Sequence, residues 1–321
     1  MSKINNKFAI GCLVQWYEIE IIEEYINSVK QALKQVDNPE NVIVHFTLTT
    51  NQDLEKLDEK QIDMETIETR FKSMMGSTWR FRITSELHTI ADYRRWFNEY
   101  FCDKVDVLMW GESDSLIPLE TFKILDMLHN NNVGQNLFKY IGFFGTCKMW
   151  DEGWKVLEHP DFTDKPHTDG DFDNWWSVCY TMNLKEMCEI NSKVEDLDVR
   201  VVNPYKLNGC GLVISSDVIK SGVNIPKCAF FIHEDTAFMN SLQKTFNGNI
   251  PQFVIKNILL VHNRKHPKKR EYVLDEVGNT PTQRRESSNW YDKASKYSHH
   301  NVYSMYEQDK IYSWEDVLEN E

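Results

Sequence analysis

The stretch VDVLMWGESDS, residues 105–115, decides how the rest of the chain is read. Its first six residues are apolar except for Asp106, as in a short buried strand. The apolar run stops abruptly at Gly111, and Glu112 and Asp114 follow with one residue between them. Alternate residues of an extended chain point to the same side, so two carboxylates at this spacing can serve one ligand.

Toward the N-terminus, residues 7–15 (KFAIGCLVQ) form a continuous apolar run that fits a buried parallel strand. Residues 18–35 carry Ile22, Tyr25, Ile26, Val29 and Leu33 at helical spacing. Asn38-Pro39 breaks that helix before a second strand, residues 42–49. A polar helix is predicted over residues 58–73 and a third strand over 79–84. The next helix, residues 91–101, places Tyr93, Trp96, Phe97 and Tyr100 on one side.

Alternating strands and helices predict an α/β fold, a mostly parallel sheet flanked by helices. The expected organisation is one domain, residues 1–262, with a ligand-binding half to about residue 115 and a second half over 116–262. Residues 263–321 are expected to wrap it as a C-terminal extension. Ligands of such sheets bind beyond the carboxyl ends of the strands, where Glu112-Ser113-Asp114 stands.

Toward the C-terminus, residues 145–202 are less regular and include Trp150, Trp154, Trp175 and Trp176. A turn with two glycines follows, Asn208-Gly209-Cys210-Gly211, then a strand-like run over 212–215 and a helix from Ser216. Residues 230–232 lead into His233-Glu234-Asp235-Thr236, which opens a helix running to Phe246. A last apolar strand, residues 253–261, ends at His262-Asn263.

Composition limits the classes. The 321 residues are 41% apolar, 26% charged and 12% aromatic, which is globular rather than disordered. A net charge of −13 disfavours a protein coated in nucleic acid, although the basic residues between 264 and 296 leave room for a local basic face. Seven scattered Cys with no CxxC pair read as reduced thiols. No apolar run is long enough for a signal peptide or a membrane span, so the expectation is a soluble, cytoplasmic protein without membrane partners.

Four groups carry candidate chemistry. Glu112 and Asp114 can hold Mg²⁺ or Mn²⁺ beside a diphosphate, since such hard cations take carboxylate oxygens and leave positions for phosphate and water. Alone, an acidic turn after a strand is commonplace. Asp235, with Glu234 beside it, is a candidate general base for a hydroxyl proton; the ordinary alternative is an acidic pair suiting a helix N-terminus. His262 can complete the shell of a Mn²⁺-like ion, with His266 as a competitor, and a satisfied core or surface histidine is the plain alternative. Asp92, Arg94 and Arg95 open a helix, where an N-terminus with Arg suits a diphosphate and also suits a simple charged face.

Taken in order, these elements resemble the GT-A glycosyltransferases, most closely the family-2 type. That pattern is a DxD-like motif, a glycine-bearing acceptor loop, an ED motif and a C-terminal His, here Glu112 and Asp114, residues 208–211, Glu234-Asp235 and His262. The resemblance implies a nucleotide-sugar donor, a UDP-sugar in preference to a GDP-sugar, and Mn²⁺ or Mg²⁺ held by Asp114, Glu112 and His262. It implies that Asp235 is the base of an inverting transfer, with the nucleobase held by Gln15, Tyr17, Glu18, Thr49 and Asn51. Asn208, Gly209 and Gly211 would meet the acceptor. The chain departs from the pattern in having Glu at the first acidic position and no acidic residue after the second strand.

Some phage enzymes resembling this class glycosylate hydroxymethylated pyrimidines in DNA. A Lys- and Asn-rich composition suits a phage or a low-GC bacterium. Double-stranded DNA is therefore one expected acceptor, tracked by the basic run HNRKHPKKR (residues 262–270) with Arg284 and Arg285, a base stacking on Trp175 or Trp176. The alternatives are a glycan or small-molecule acceptor, and a degenerate domain that binds sugar or DNA without catalysis. No GxGxxG follows a strand, which argues against a Rossmann dehydrogenase. Gly11-Cys12-Leu13-Val14-Gln15 lacks the basic, Gly-rich loop of a nucleotidyltransferase.

Overall fold

A computed structural model describes residues 2–51, 63–146, 182–203, 205, 207–263, 289–307 and 309–318. Its centre is β1 (Phe8–Gln15), buried at every position but the last. A strand with no wet face needs partners on both edges and cover on both sides. Parallel neighbours β2 (Val42–Thr49) and β4 (Val107–Trp110) supply the edges, and β3 (Arg80–Thr84) adds to β2.

The cover comes from helices. Phe8, Ile10, Cys12 and Val14 share a core with α1 (Ile22–Leu33) and α2 (Met64–Met74), while Ala9 and Leu13 face α3 (Ile90–Phe101). The alternation follows from the two-residue period of the strand. Residues 58–62 of the expected polar helix lie outside the described residues; α2 starts where the Asp63 side chain accepts the Thr66 N–H.

The second half of the sheet mixes directions. β8 (Val213–Ser215) lies antiparallel between β4 and β6 (Ile141–Gly145). Beyond them, β9 (Gln252–Leu259) pairs parallel with β6, and β7 (Val199–Val202) closes the edge antiparallel. The eight-stranded order is β3-β2-β1-β4-β8-β6-β9-β7, a large and mostly parallel sheet with helices on its faces, as the sequence predicts. The reversed β8 has a consequence: its N-terminal end, and the 208–211 turn before it, stand beside the carboxyl end of β4.

The last apolar strand does not run unbroken to His262. β9 ends at Leu259, the Leu260 N–H bonds to the Gly145 carbonyl where the ladder shifts register, and the chain moves to another sheet. There β10 (Val261–His262) pairs antiparallel with β5 (Ser115–Leu116), setting His262 opposite Ser115.

Further helices are α4 (Thr121–Gly134), α5 (Leu184–Asn191), α6 (Ser216–Lys220), α7 (Glu234–Phe246), α8 (Asn289–Ser304) and α9 (Trp314–Leu318). Residues from α8 and α9 pack with Phe230 and Phe231, just before α7. Among the described residues, no helix is long and apolar enough to cross a membrane.

Gly111 is where β4 gives way to the acidic turn, and a side chain there would force its neighbours to shift. Its N–H bonds to the Gly11 carbonyl, and a Cβ there would fall on the buried Tyr25 hydroxyl, which has no hydrogen-bond partner among the described residues. Gly111→Ala is therefore expected to cost about 1–3 kcal/mol by urea unfolding, as overpacking does. Tyr25→Phe alone is expected to be near neutral and to recover part of that loss in the double variant. Equal urea midpoints for Gly111→Ala and the parent would contradict this close approach.

Candidate functional site

A cavity of about 780 Å³ opens beyond the carboxyl ends of the parallel strands. Gln15 at the end of β1, with Tyr17 and Glu18 just past it, lines the cavity, as do Thr49 at the end of β2 and Asn51 beyond it. The Glu18 carboxylate accepts the Gln15 N–H at 2.8 Å, which fixes the tight turn leaving β1. Glu112 and Asp114 enter after β4, Asn208, Gly209 and Cys210 from the turn before β8, and Glu234 and Asp235 from the start of α7. His262 of β10 completes the floor, and Trp290 and Tyr303 of α8 form part of the wall.

Two carboxylates approach one imidazole. His262 Nε2 lies 2.9 Å from a Glu112 carboxylate oxygen and 3.4 Å from one of Asp114. Burial opposes charge on both Glu112 and His262. For Glu112, the contacts with His262 and Arg94 win and hold its carboxyl down at about 2. For His262, Cys210, Glu112 and Asp114 outweigh burial and push the imidazole well above its usual range. Two carboxylates and one imidazole this close offer the mixed O and N donors that suit a divalent cation of the Mn²⁺ kind. The residues present fit such an ion. The Cys210 sulfur also lies near: among the described residues, the ligand atoms that all lie within 4.8 Å of one another are those of Glu112, Cys210 and His262, and Asp114 joins through His262.

Behind the donors stands Arg94, only 2% exposed. Its guanidinium donates to Glu112 at 2.7 Å, to Glu234, and to the Gly209 carbonyl at 3.2 Å, and it lies 4.7 Å from the centre of the Trp110 ring. A buried guanidinium so occupied ties the acidic turn, the glycine turn and the head of α7 together. Gly209 is glycine for the same reason, since a Cβ there would sit 2.6 Å from Arg94 Nη1. Burial pushes the Glu234 carboxyl up to about 7, against the pull of Arg94. Asp235 is not part of this tie; one of its oxygens accepts the Thr236 N–H at 2.7 Å, and the residue faces the cavity.

Other candidates stand elsewhere. Asp92 closes a capping box with Thr89 at the start of α3 and pairs with Arg95. Arg95 donates to the carbonyls of Ile225, Pro226 and Ala229, propping the segment that leads to α7. Neither lines the cavity. Gly211 also lies off it, at φ +69° and packed on Leu260. Trp175, Trp176, Arg284, Arg285 and the basic run from residue 264 lie outside the described residues.

Sequence reading missed Cys210, Trp290 and Tyr303. Cys210 was in view between two glycines, but only the return of the chain to β10 brings it near His262.

No protein-family model matches the chain, and no curated relative matches it in sequence. Solved structures similar to it include S. aureus TarS 1–349, at 11% identity, covering 97% of this chain and 77% of that one with a TM-score of 0.44. A mannosyltransferase from Pyrobaculum calidifontis in complex with GDP-Man and Mn²⁺ is 8% identical over 95% of this chain and 77% of that one, TM-score 0.47. A UDP-glucose pyrophosphorylase complexed with UDP-glucose is 8% identical over 83% and 96%, TM-score 0.42. At such identities and scores, the likeness carries no information about this chain's reaction.

The Arg94 tie has a measurable signature. Arg94→Met leaves Glu112 and Glu234 without their cation and is expected to cost about 3–5 kcal/mol of stability by urea unfolding. Adding Glu234→Gln to that variant is expected to cost clearly less than Glu234→Gln costs in the parent, because the partner is already gone. Strict additivity would show that the two side chains are not coupled.

Proposed function

We propose that the cleft takes a nucleotide sugar, a UDP-sugar in preference to a GDP-sugar, and transfers its sugar to an acceptor hydroxyl by a GT-A-like inverting reaction. One observation supports this most: Glu112, Asp114, Asp235 and His262, from three distant segments of the chain, all face a single cavity at the carboxyl ends of parallel strands. A divalent cation, Mn²⁺ or Mg²⁺, held by Glu112, Asp114 and His262 supplies positive charge to the leaving diphosphate.

The protein's own groups do the rest. Gln15, Tyr17, Glu18, Thr49 and Asn51 wall the end of the cleft that takes the nucleobase and ribose. Asp235 accepts the acceptor's hydroxyl proton as that oxygen attacks the anomeric carbon, and the bond to the nucleoside diphosphate breaks with its electron pair. Its bond to the Thr236 N–H holds the carboxylate in place. Glu234, engaged by Arg94, acts as a positioning residue for Asp235 rather than as the base. Asn208 and Gly209 take the acceptor side, where a Cβ added to Gly209 would come 3.4 Å from Asp235 Cβ.

Calorimetry with UDP, GDP and their sugars, with and without Mn²⁺, tests the donor reading, and the expected result is UDP binding that needs the ion. Release of the nucleoside diphosphate, with water and then with hydroxymethylated DNA, glycans and small alcohols as acceptors, tests the transfer. Asp235→Ala is expected to keep nucleotide affinity within a few-fold and to slow transfer about 10²–10⁴-fold. Parent-rate transfer by this variant removes Asp235 as the base. Nucleotide binding without turnover on any acceptor would instead fit a binding-only domain.

A further inference from the structure

Nothing in a sugar-transfer reaction calls for a thiol, yet Cys210 brings one to the donor cluster. A buried cysteine is ordinarily a small apolar filler. Cys210 is 2% exposed, but its sulfur shares its surroundings with the Glu112 carboxylate and the His262 imidazole. The turn that carries it is pinned at several points. The Asn208 Oδ1 accepts the Cys210 N–H at 3.1 Å, and the Gly211 N–H bonds to the Trp110 carbonyl at 3.1 Å. In return the Trp110 N–H bonds to the Leu212 carbonyl at 2.9 Å, and Arg94 holds the Gly209 carbonyl. The sulfur therefore stands at a set place beside the end of β4, and its approach to the cluster is built into the backbone.

We propose that Cys210 Sγ is a further ligand to the divalent cation held by Glu112, Asp114 and His262, and that it makes the site thiophilic, favouring an ion of the Zn²⁺ or Co²⁺ kind over Mg²⁺. The inference rests on the cation site of the preceding subsection. Its physical basis is ligand softness. Carboxylate oxygens alone suit Mg²⁺, imidazole suits several first-row ions, and a thiolate shifts the set toward Zn²⁺ and its neighbours. On ligation the thiol proton passes to solvent, since the thiolate is the ligand. Two carboxylates and a thiolate would carry more negative charge than one dication neutralises, and Arg94, bonded to the far side of Glu112 and shared with Glu234, offsets part of the excess.

X-ray absorption of the reduced 321-residue protein loaded with one equivalent of Zn²⁺ reads the ligands directly. The expected spectrum contains a sulfur shell at about 2.3 Å, the ordinary Zn–S distance, alongside N/O scatterers. Loading with Co²⁺ is expected to give a thiolate-to-cobalt charge-transfer band in the near ultraviolet. Cys210→Ser should lose both signals and bind Zn²⁺ and Co²⁺ about 10–100-fold more weakly, at least the loss seen when an outer partner of a metal ligand is removed. Its Mg²⁺ affinity should change little. Because six other cysteines are present, retention of the sulfur shell in Cys210→Ser would overturn the proposal. So would an N/O-only shell in the loaded parent, a result that needs no variant to fold. If that N/O-bound ion is still lost in His262→Ala, the cation site stands without the thiol. If no divalent cation binds, with or without a nucleoside diphosphate, both readings fall together.

Discussion

One buried guanidinium holds the site in one piece. Arg94 sits under the cleft with carboxylates on two sides, a backbone carbonyl on a third and the Trp110 ring 4.7 Å away. Removing a charge from water costs several kcal/mol, and only charged partners in good geometry offset that cost. Glu112 and Glu234 are those partners, and they stand 18 and 140 residues from Arg94 in sequence. The acidic turn and the ED pair are thus two ends of one buried network. Displacing either would strand a charge, which fixes the distance between the cation-binding side of the cleft and the Asp235 side.

Topology completes what Arg94 begins. The reversed β8 delivers the Asn208–Gly211 turn to the end of β4, and the β5–β10 ribbon lays His262 across from Ser115, next to Asp114. Neither device adds much core. Each is a short strand pairing whose effect is to set one loop against another. The large apolar clusters on the two faces of β1 carry the bulk of the burial, leaving the ends of the strands for polar groups whose placement is costly.

The sequence was legible where structure is local. The runs that became β1 and β4 are almost wholly apolar because they are buried on both faces, β2 reads as a strand although it also buries His45 and Thr47, and the Glu112-Ser113-Asp114 turn was readable because it interrupts such a run. The start of α7 at Glu234 was readable from its acidic pair. What escaped was non-local: the direction of β8, the jump from β9 to β10, the partners of Arg94 and the nearness of Cys210 to His262 all depend on segments far apart in the chain. Asp92 is a different case. Thr89-Ile90-Ala91-Asp92 has the spacing of a capping box, and that local pattern offered its carboxylate a role in starting α3. Arg94 was singled out for a diphosphate; it lines the cleft, where Glu112 and Glu234, both distant in sequence, engage its guanidinium.

The most direct test is a crystal of the protein grown with UDP and Mn²⁺, with anomalous scattering used to locate the ion. The account predicts one Mn²⁺ bound by oxygens of Glu112 and Asp114 and by His262, with the diphosphate beside it and the base toward Gln15 and Asn51. An ordered nucleotide bound away from this cleft, or an ion that touches neither Asp114 nor His262, would contradict it.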